Sequence, residues 1–364
     1  MSVMQARVER GDGEVSVLIR LEGEERTVHF TGLPEVPEND EFLLPLLLLP
    51  AMSIGADLQL PTVICGETPE RVATLQSIFR TWFDGFEEIA LTTVSGSARR
   101  PSASGHPARS ACFFSGGVDS FFSVLELHDE LEAVIFVSGF DIGLGREHEP
   151  DEAVILERLA AAAGELGLRV VHVKTDLRQW SEQFVGWEKH YYGSALAAVA
   201  LLLGSTFDRV YHASSHTYRT LFPDGSHPLT DPLWSTPEVS VRLHGGDTTR
   251  LQKVARIAKS PVAMRTLRVC WENRSGAYNC GECNKCGRTM AELWAVEALD
   301  RCDTLPNAIT ASMLAGALRG DGEERQVFAD EIATAIERRR DPEARALREA
   351  AAAILRQQTA SGLF

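Results

Sequence analysis

The chain has 364 residues, enough for one large or two to three smaller domains, and its apolar content of 44 % is ordinary for a globular protein. The formal net charge of −15 opposes tight binding to a phosphate backbone, so a nucleic-acid partner would need a local basic patch. No apolar run nears the ~20 residues that span a bilayer; Phe42–Met52 is short and carries Pro45 and Pro50, so no membrane partner is expected.

The first residues lack a cationic stretch followed by an apolar one, so no signal peptide is expected and a cytoplasmic location follows. In that compartment the seven cysteines are expected to be thiols or metal ligands rather than disulfides. Residues 1–105 read as an N-terminal α/β accessory domain plus linker. Val15, Val17, Ile19 and Leu21 alternate along one strand and Val28 and Phe30 along another, with Glu22-Gly23-Glu24 as a hairpin turn. Glu41–Ile54 is a leucine-rich, buried helix. A second helix opens with Thr68 as N-cap and carries Val72, Leu75, Phe79 and Trp82 at helical spacing, and Ile89 and Leu91 suggest a further strand. Ser95–Ser110, rich in Ser, Gly, Pro and Arg, reads as a linker.

Residues 106–268 alternate between strands and helices. Ala111–Phe114 is a short buried strand and the residues from Ser120 begin an amphipathic helix. Between them Ser115-Gly116-Gly117-Val118-Asp119-Ser120 combines two glycines, which allow a sharp turn and close ligand approach, with a helix N-terminus and two hydroxyls. That is a phosphate cradle, and it is not the Gly-x-x-x-x-Gly-Lys-Ser/Thr type. Strands at Val134–Ser138, Arg169–Val173 and Arg209–Ala213, with helices at Asp151–Leu166 and Ser194–Leu203, imply a doubly wound, mainly parallel α/β sheet. Ligands bind at the carboxyl ends of such strands. This singles out the loop, Ser138-Gly139-Phe140-Asp141 and His212–His216.

Residues 216–236 form a long loop, read as the pocket of a second substrate. Phe222 and Trp234 would be its walls and Arg219 and His227 its polar anchors. The proton carrier among His212, His216, His227, Asp224 and Asp231 stays open. A helix over Asp247–Lys259 sets Arg250, Lys253 and, roughly, Arg256 on one face, where they would neutralise charge developing on a polyphosphate.

Residues 269–300 hold Cys270, Cys280, Cys283 and Cys286 in the pattern Cys-x9-Cys-x2-Cys-x2-Cys, followed by Gly287-Arg288. Four close thiolates suit a tetrahedral, structural Zn2+, with an iron–sulfur cluster as the alternative. Cys65, Cys112 and Cys302 read as buried apolar residues. Residues 301–364 form a helical segment at Ala308–Leu318, Glu324–Arg338 and Pro342–Leu355, a cap or a homo-oligomer surface.

The hexapeptide Ser115–Ser120 resembles the Ser-Gly-Gly-x-Asp-Ser signature of the PP-loop ATP pyrophosphatases. With the cysteine set downstream, residues 111–300 resemble the 7-cyano-7-deazaguanine synthases within that group. The resemblance implies an adenine nucleotide α-hydrolase-like fold, ATP and Mg2+ as cofactors beside Zn2+, and adenylation of a carboxylate or amide oxygen for attack by nitrogen. It places Ser115, Gly116, Gly117, Val118 and Ser120 around the pyrophosphate, Asp119 on Mg2+, and Val137, Ser138 and Gly139 at the adenine. The expected catalytic set is Asp119, Lys253, Arg256 and His227. The chain departs from the family by roughly 105 residues before the loop and about 60 after the cysteine helix. Its 216–236 loop does not match deazapurine recognition, so the expected acceptor is a small molecule or a peptide terminus. A sulfur transferase and a non-catalytic nucleotide-binding module are the rival readings.

Overall fold

The computed structural model describes residues 2–62, 67–94, 108–141, 149–272, 278–319, 323–339 and 341–360. Cys65 and residues 95–107, most of the expected linker, lie outside them. The chain opens with a meander of β1 (Val3–Gly11), β2 (Glu14–Leu21) and β3 (Glu24–Thr31). The β2–β3 turn places Glu22 and Gly23 at φ 52° and 88°, the turn hand that matches strand twist. β1 is an addition to the expected elements; only Met4 on it is fully buried, so its alternation is faint.

Helix α1 (Leu43–Ser53) is apolar all round and buried from Leu43 to Met52. Each fully buried leucine there contributes roughly 1.5–3 kcal/mol. Pro50 has no N–H, so the carbonyl of Leu46 loses its helical donor. The hydroxyl of Tyr191 replaces it at 2.7 Å, and Ser194 donates to the carbonyl of Pro45. β4 (Asp57–Leu60), α2 (Thr68–Trp82) and β5 (Leu91–Thr93) follow. Glu67 takes the N-cap position of α2, one residue before the expected Thr68.

The second part runs β6 (Ser110–Phe113), α3 (Val118–Glu126), β7 (Ala133–Ser138), α4 (Glu149–Glu165), β8 (Arg169–Thr175), α5 (Leu177–Ser181), α6 (Tyr192–Leu202), β9 (Arg209–Ala213) and β10 (Ser240–His244). The ten strands of the described residues form one sheet in the order β10-β9-β6-β7-β8-β3-β2-β1-β4-β5. Six of its nine strand pairings are parallel, so the sheet is mainly parallel, as expected. The meander joins through β3, which runs antiparallel to β8 with Phe30 opposite Thr175 and Thr31 opposite Lys174.

Both faces are covered, which is compatible with a doubly wound arrangement. Ala111, Phe113, Ala133, Ile135 and Val137 point into a core shared with α1 and α6. The alternate residues Cys112, Phe114, Val134 and Phe136 point into the other core. That second core takes in α3, α4, α7 (Arg250–Ile257), α8 (Pro261–Thr266), α9 (Asn284–Ala295), α10 (Ala311–Ala317), α11 (Glu323–Arg338) and α12 (Pro342–Ala360). Leu314, Ile332, Ala344 and Ala351 are buried there, so the C-terminal helices cap this face. Among the described residues no helix is long and apolar enough to cross a membrane.

From β6 the chain builds outward through β7 and β8, then returns to place β9 and β10 on the other side of β6. The strand order therefore reverses between β6 and β9. In parallel sheets that reversal opens a crevice at the carboxyl ends of the two strands.

Candidate functional site

The loop Ser115–Ser120 leaves β6 at this crevice. Gly116 has φ +77°, and a Cβ on it would lie 2.6 Å from Leu159 Cδ2, so only glycine fits without strain. Gly117 enters α3 in extended geometry with no side-chain cap, leaving the first N–H groups of the helix open to a ligand. Ser120 Oγ donates to the carbonyl of Gly117 at 3.1 Å and lies 3.4 Å from Ser115 Oγ.

Two cations converge on the loop. Arg250 Nη1 lies 2.7 Å from Asp119 Oδ2 and Lys253 Nζ lies 3.1 Å from Oδ1. Lys253 is buried and also donates to the carbonyl of Ser214, just after β9, so it bridges the crevice. Helix α7 starts with a capping box of Thr249 and Gln252, worth ~1 kcal/mol, which fixes the turn that carries Arg250. Arg250 is held from behind by buried Glu292 at 3.0 and 3.2 Å and by Thr289. Burial alone would raise the pKa of Asp119, but Lys253 and Arg250 hold it below the ordinary carboxylate value. Glu292 goes the other way: burial raises its pKa despite Arg250 and Arg288.

Helix α11 reaches the same place. The Phe328 ring lies 4.1 Å from the Arg288 guanidinium carbon and 5.9 Å from that of Arg250, and it stacks near-parallel to His216 at 6.4 Å. One turn further along, the half-buried Glu331 lies near the backbone N–H of Leu251 in the first turn of α7. Burial pushes its pKa up against the pull of that N–H, Arg250 and Lys253.

The structure brings Ser115, Gly116, Gly117, Val118, Asp119 and Ser120 together with Lys253 and Arg250, two of the three cations read on one face of α7. It does not bring Arg256 to the loop. Arg256 lies about 120° round α7 from Arg250, and its Nε pairs with Glu126 at 2.6 Å. His227 is likewise not presented to the loop. It is buried edge-on against Trp82, ring centres 4.7 Å apart, and its Nδ1 accepts the N–H of Leu229, which closes a turn. Both oxygens of Asp119, the residue expected on Mg2+, are in ion pairs, Oδ2 with Arg250 and Oδ1 with Lys253.

At the second strand end, Ser138 is fully buried. Its hydroxyl lies 2.8 Å from both Glu152 Oε1 and His172 Nε2, so only backbone at Val137 to Gly139 remains for a ligand. Gly139 has φ +99°. In the 216–236 loop, Trp234 is turned into the core and forms no pocket wall. The groove there, about 470 Å3, lies instead between Trp82, Tyr218, Phe222, His227 and Leu229. Phe222 also packs on His216 at 4.5 Å, and His216 Nε2 lies 3.6 Å from Asp224. The groove is thus linked to the cations through His216 and the Phe328 ring that stacks on it. Beneath them His212 Nε2 lies 3.4 Å from Asp231, with both residues buried. Burial lowers the His212 pKa to about 4 and raises that of Asp231 to about 7.

The sulfurs of Cys270, Cys280, Cys283 and Cys286 lie within 4.8 Å of one another, with Cys270–Cys283 at 3.8 Å and Cys280–Cys286 at 3.9 Å. Sulfurs about 2.3 Å from a tetrahedral metal would be roughly 3.8 Å apart, so this cluster can hold a metal ion. Asn279 ties it to the site: its Oδ1 accepts the N–H groups of Val269 and Cys270 at 2.8 and 3.0 Å, and its Nδ2 donates to Leu267. The N–H of Arg268 then donates to the carbonyl of Gly116 at 2.8 Å.

Arg288, Glu292, Phe328 and Glu331 were not expected at the site. Arg288 and Glu292 are an i, i+4 pair directly after the last cysteine, which is a legible signal. Phe328 meets residues far away in the chain and carries none. Comparisons with protein-family models, curated proteins and solved structures returned no match.

Proposed function

We propose that the protein is an ATP-dependent, AMP-forming enzyme of the PP-loop type, acting on a small molecule or peptide terminus. One observation carries this: a strand–Gly-Gly–helix loop stands at the reversal point of a parallel sheet, with two buried cations aimed at its carboxylate. Open N–H groups of α3 and the hydroxyls of Ser115 and Ser120 suit pyrophosphate oxygens. Lys253 and Arg250 suit the charge that builds when the α–β bond breaks.

The acceptor oxygen would attack the α-phosphorus, the bond to the bridging oxygen would break, and pyrophosphate would leave with that electron pair. The acyl or imidoyl adenylate would then lose AMP to a nitrogen nucleophile. Mg2+ would supply charge neutralisation on the polyphosphate, held mainly by phosphate oxygens. Asp119 would keep Lys253 and Arg250 in place. The four cysteines suit a structural Zn2+ with no open position. The groove beside Phe222 suits the acceptor, with His216 packed on Phe222 and Asp224 next to it.

The sulfur-transferase alternative needs a reactive cysteine near the loop. Cys112 is fully buried, and burial pushes its pKa to about 12, so it has little thiolate character. The test is to follow AMP and pyrophosphate release over a panel of carboxylic acids and amides with ammonia present. Stoichiometric AMP with one acceptor, lost in Lys253→Ala, is the expected result. Tight ATP binding with no AMP from any acceptor would favour the nucleotide-binding module instead.

A further inference from the structure

We propose that α11 is an internal stopper of the anion site: Phe328 and Glu331 occupy the space over Arg250, Lys253 and Arg288, so the seated helix and a bound polyphosphate exclude each other. The proposal rests on the ATP reading above and adds a regulatory contact to it.

Glu331 is the first reason. Helix α11 packs against α7, and Glu331 lies near the N–H of Leu251 at its opening turn, with Arg250 and Lys253 in the neighbourhood. A helix N-terminus flanked by two cations is where a phosphate oxygen would be stabilised. Here the chain supplies its own anion.

Phe328 is the second. It is buried, with the Arg288 guanidinium over its ring and the His216 ring stacked near-parallel to it. A ring enclosed in this way fills the space between the loop's cations and His216. In the proposed reaction the polyphosphate and the acceptor would meet in that space.

Charge is the third. Arg250, Lys253 and Arg288 stand against Asp119, Glu292 and Glu331, so an incoming polyphosphate meets cations that are already balanced. Helix α11 is also one-sided. Phe328, Ala329, Ile332, Ala335 and Ile336 are buried, while Gln326 and Asp330 face solvent, so it can lift as a unit without unfolding the sheet. Where a ligand binds only the lifted state, its apparent affinity falls by the fraction lifted.

The experiment follows amide hydrogen exchange of residues 327–337 and MgATP affinity together, in the wild type, Phe328→Ala and Glu331→Gln. The expected result is exchange in α11 that rises ~10-fold on saturating the wild type with MgATP, and ~10-fold tighter MgATP binding by both variants. Glu331→Gln keeps the side-chain size, so it remains informative if Phe328→Ala fails to fold. MgATP binding that leaves α11 protected, with variants binding no tighter, overturns the stopper alone. Raised exchange in the variants with no nucleotide binding by any protein overturns the anion-site reading and the stopper with it.

Discussion

The backbone N–H of Arg268 donates to the carbonyl of Gly116 at 2.8 Å, and Arg268 lies two residues before Cys270. The cysteine cluster and the phosphate-type loop are therefore one mechanical unit, linked by Asn279 and a single strand of backbone. A structural metal in that position would do more than stabilise its own turn. It would fix the loop's carbonyl orientation, and with it the direction of the open N–H groups.

Removing the metal should therefore weaken nucleotide binding as well as stability. Zinc is expected at one per chain by elemental analysis. Cys283→Ser should lower Tm on the order of 5–10 °C and reduce ATP affinity, although no cysteine touches the ligand. Iron in the preparation, or a metal-free protein with full stability, would contradict this.

Asp119 carries a second expectation. With its carboxylate gone, buried Lys253 would lose its ion pair and Arg250 would keep only that with Glu292, at a cost of roughly 3 kcal/mol. Asp119→Asn should thus be destabilised at pH 7, not merely inactive. The native pKa of Asp119 is lowered, so its contribution is present above the unfolded value of about 3.9 and fades as pH falls through the native value. Urea unfolding at pH 7 and pH 3 should show the gap between wild type and variant closing at the acid end.

Gly116→Ala tests the loop's backbone. Its φ of +77° and the 2.6 Å approach to Leu159 make any side chain strained there. A loss of about 2 kcal/mol is expected, and the same substitution should cost less in a Leu159→Ala background, because the clash is with that buried side chain.

How much of this was legible follows from distance along the chain. The loop and three of the four cysteines lie within single turns, where spacing alone fixes proximity. The alternation Val15–Leu21 and the apolar helix at Leu43 were legible for the same reason. The pairing of β3 with β8 was not, because Phe30 and Thr175 say nothing about which sheet edges meet. Arg256 was misplaced because i+6 spacing drifts too far round a helix. Trp234 was misread as a pocket wall because the 3-10 turn Asp231–Trp234 points it into the core, which aromatic composition cannot reveal.

The buried His212–Asp231 pair makes a pH prediction. Asp231 has a native pKa of about 7 against an unfolded value near 3.9, so its contribution is lost as pH rises through 7. His212, at about 4 against an unfolded value near 6.5, acts with the opposite sign between pH 4 and 6.5. The two offset each other there, and the net loss appears above about pH 6.5. Asp231→Asn should therefore gain on the order of 1 kcal/mol relative to wild type between pH 6 and 8. A thermal-melt series with parallel curves for the two proteins would contradict this.

The most direct test of the central claim is calorimetric titration of the zinc-loaded protein with the Mg2+ complex of an ATP analogue uncleavable between the α and β phosphates. One site per chain is expected, its affinity falling at least ~100-fold in Lys253→Ala and little in Arg256→Ala, whose side chain lies away from the loop. No binding, or equal binding by the wild type and Lys253→Ala, would contradict the assignment of Ser115–Ser120 as a nucleotide site.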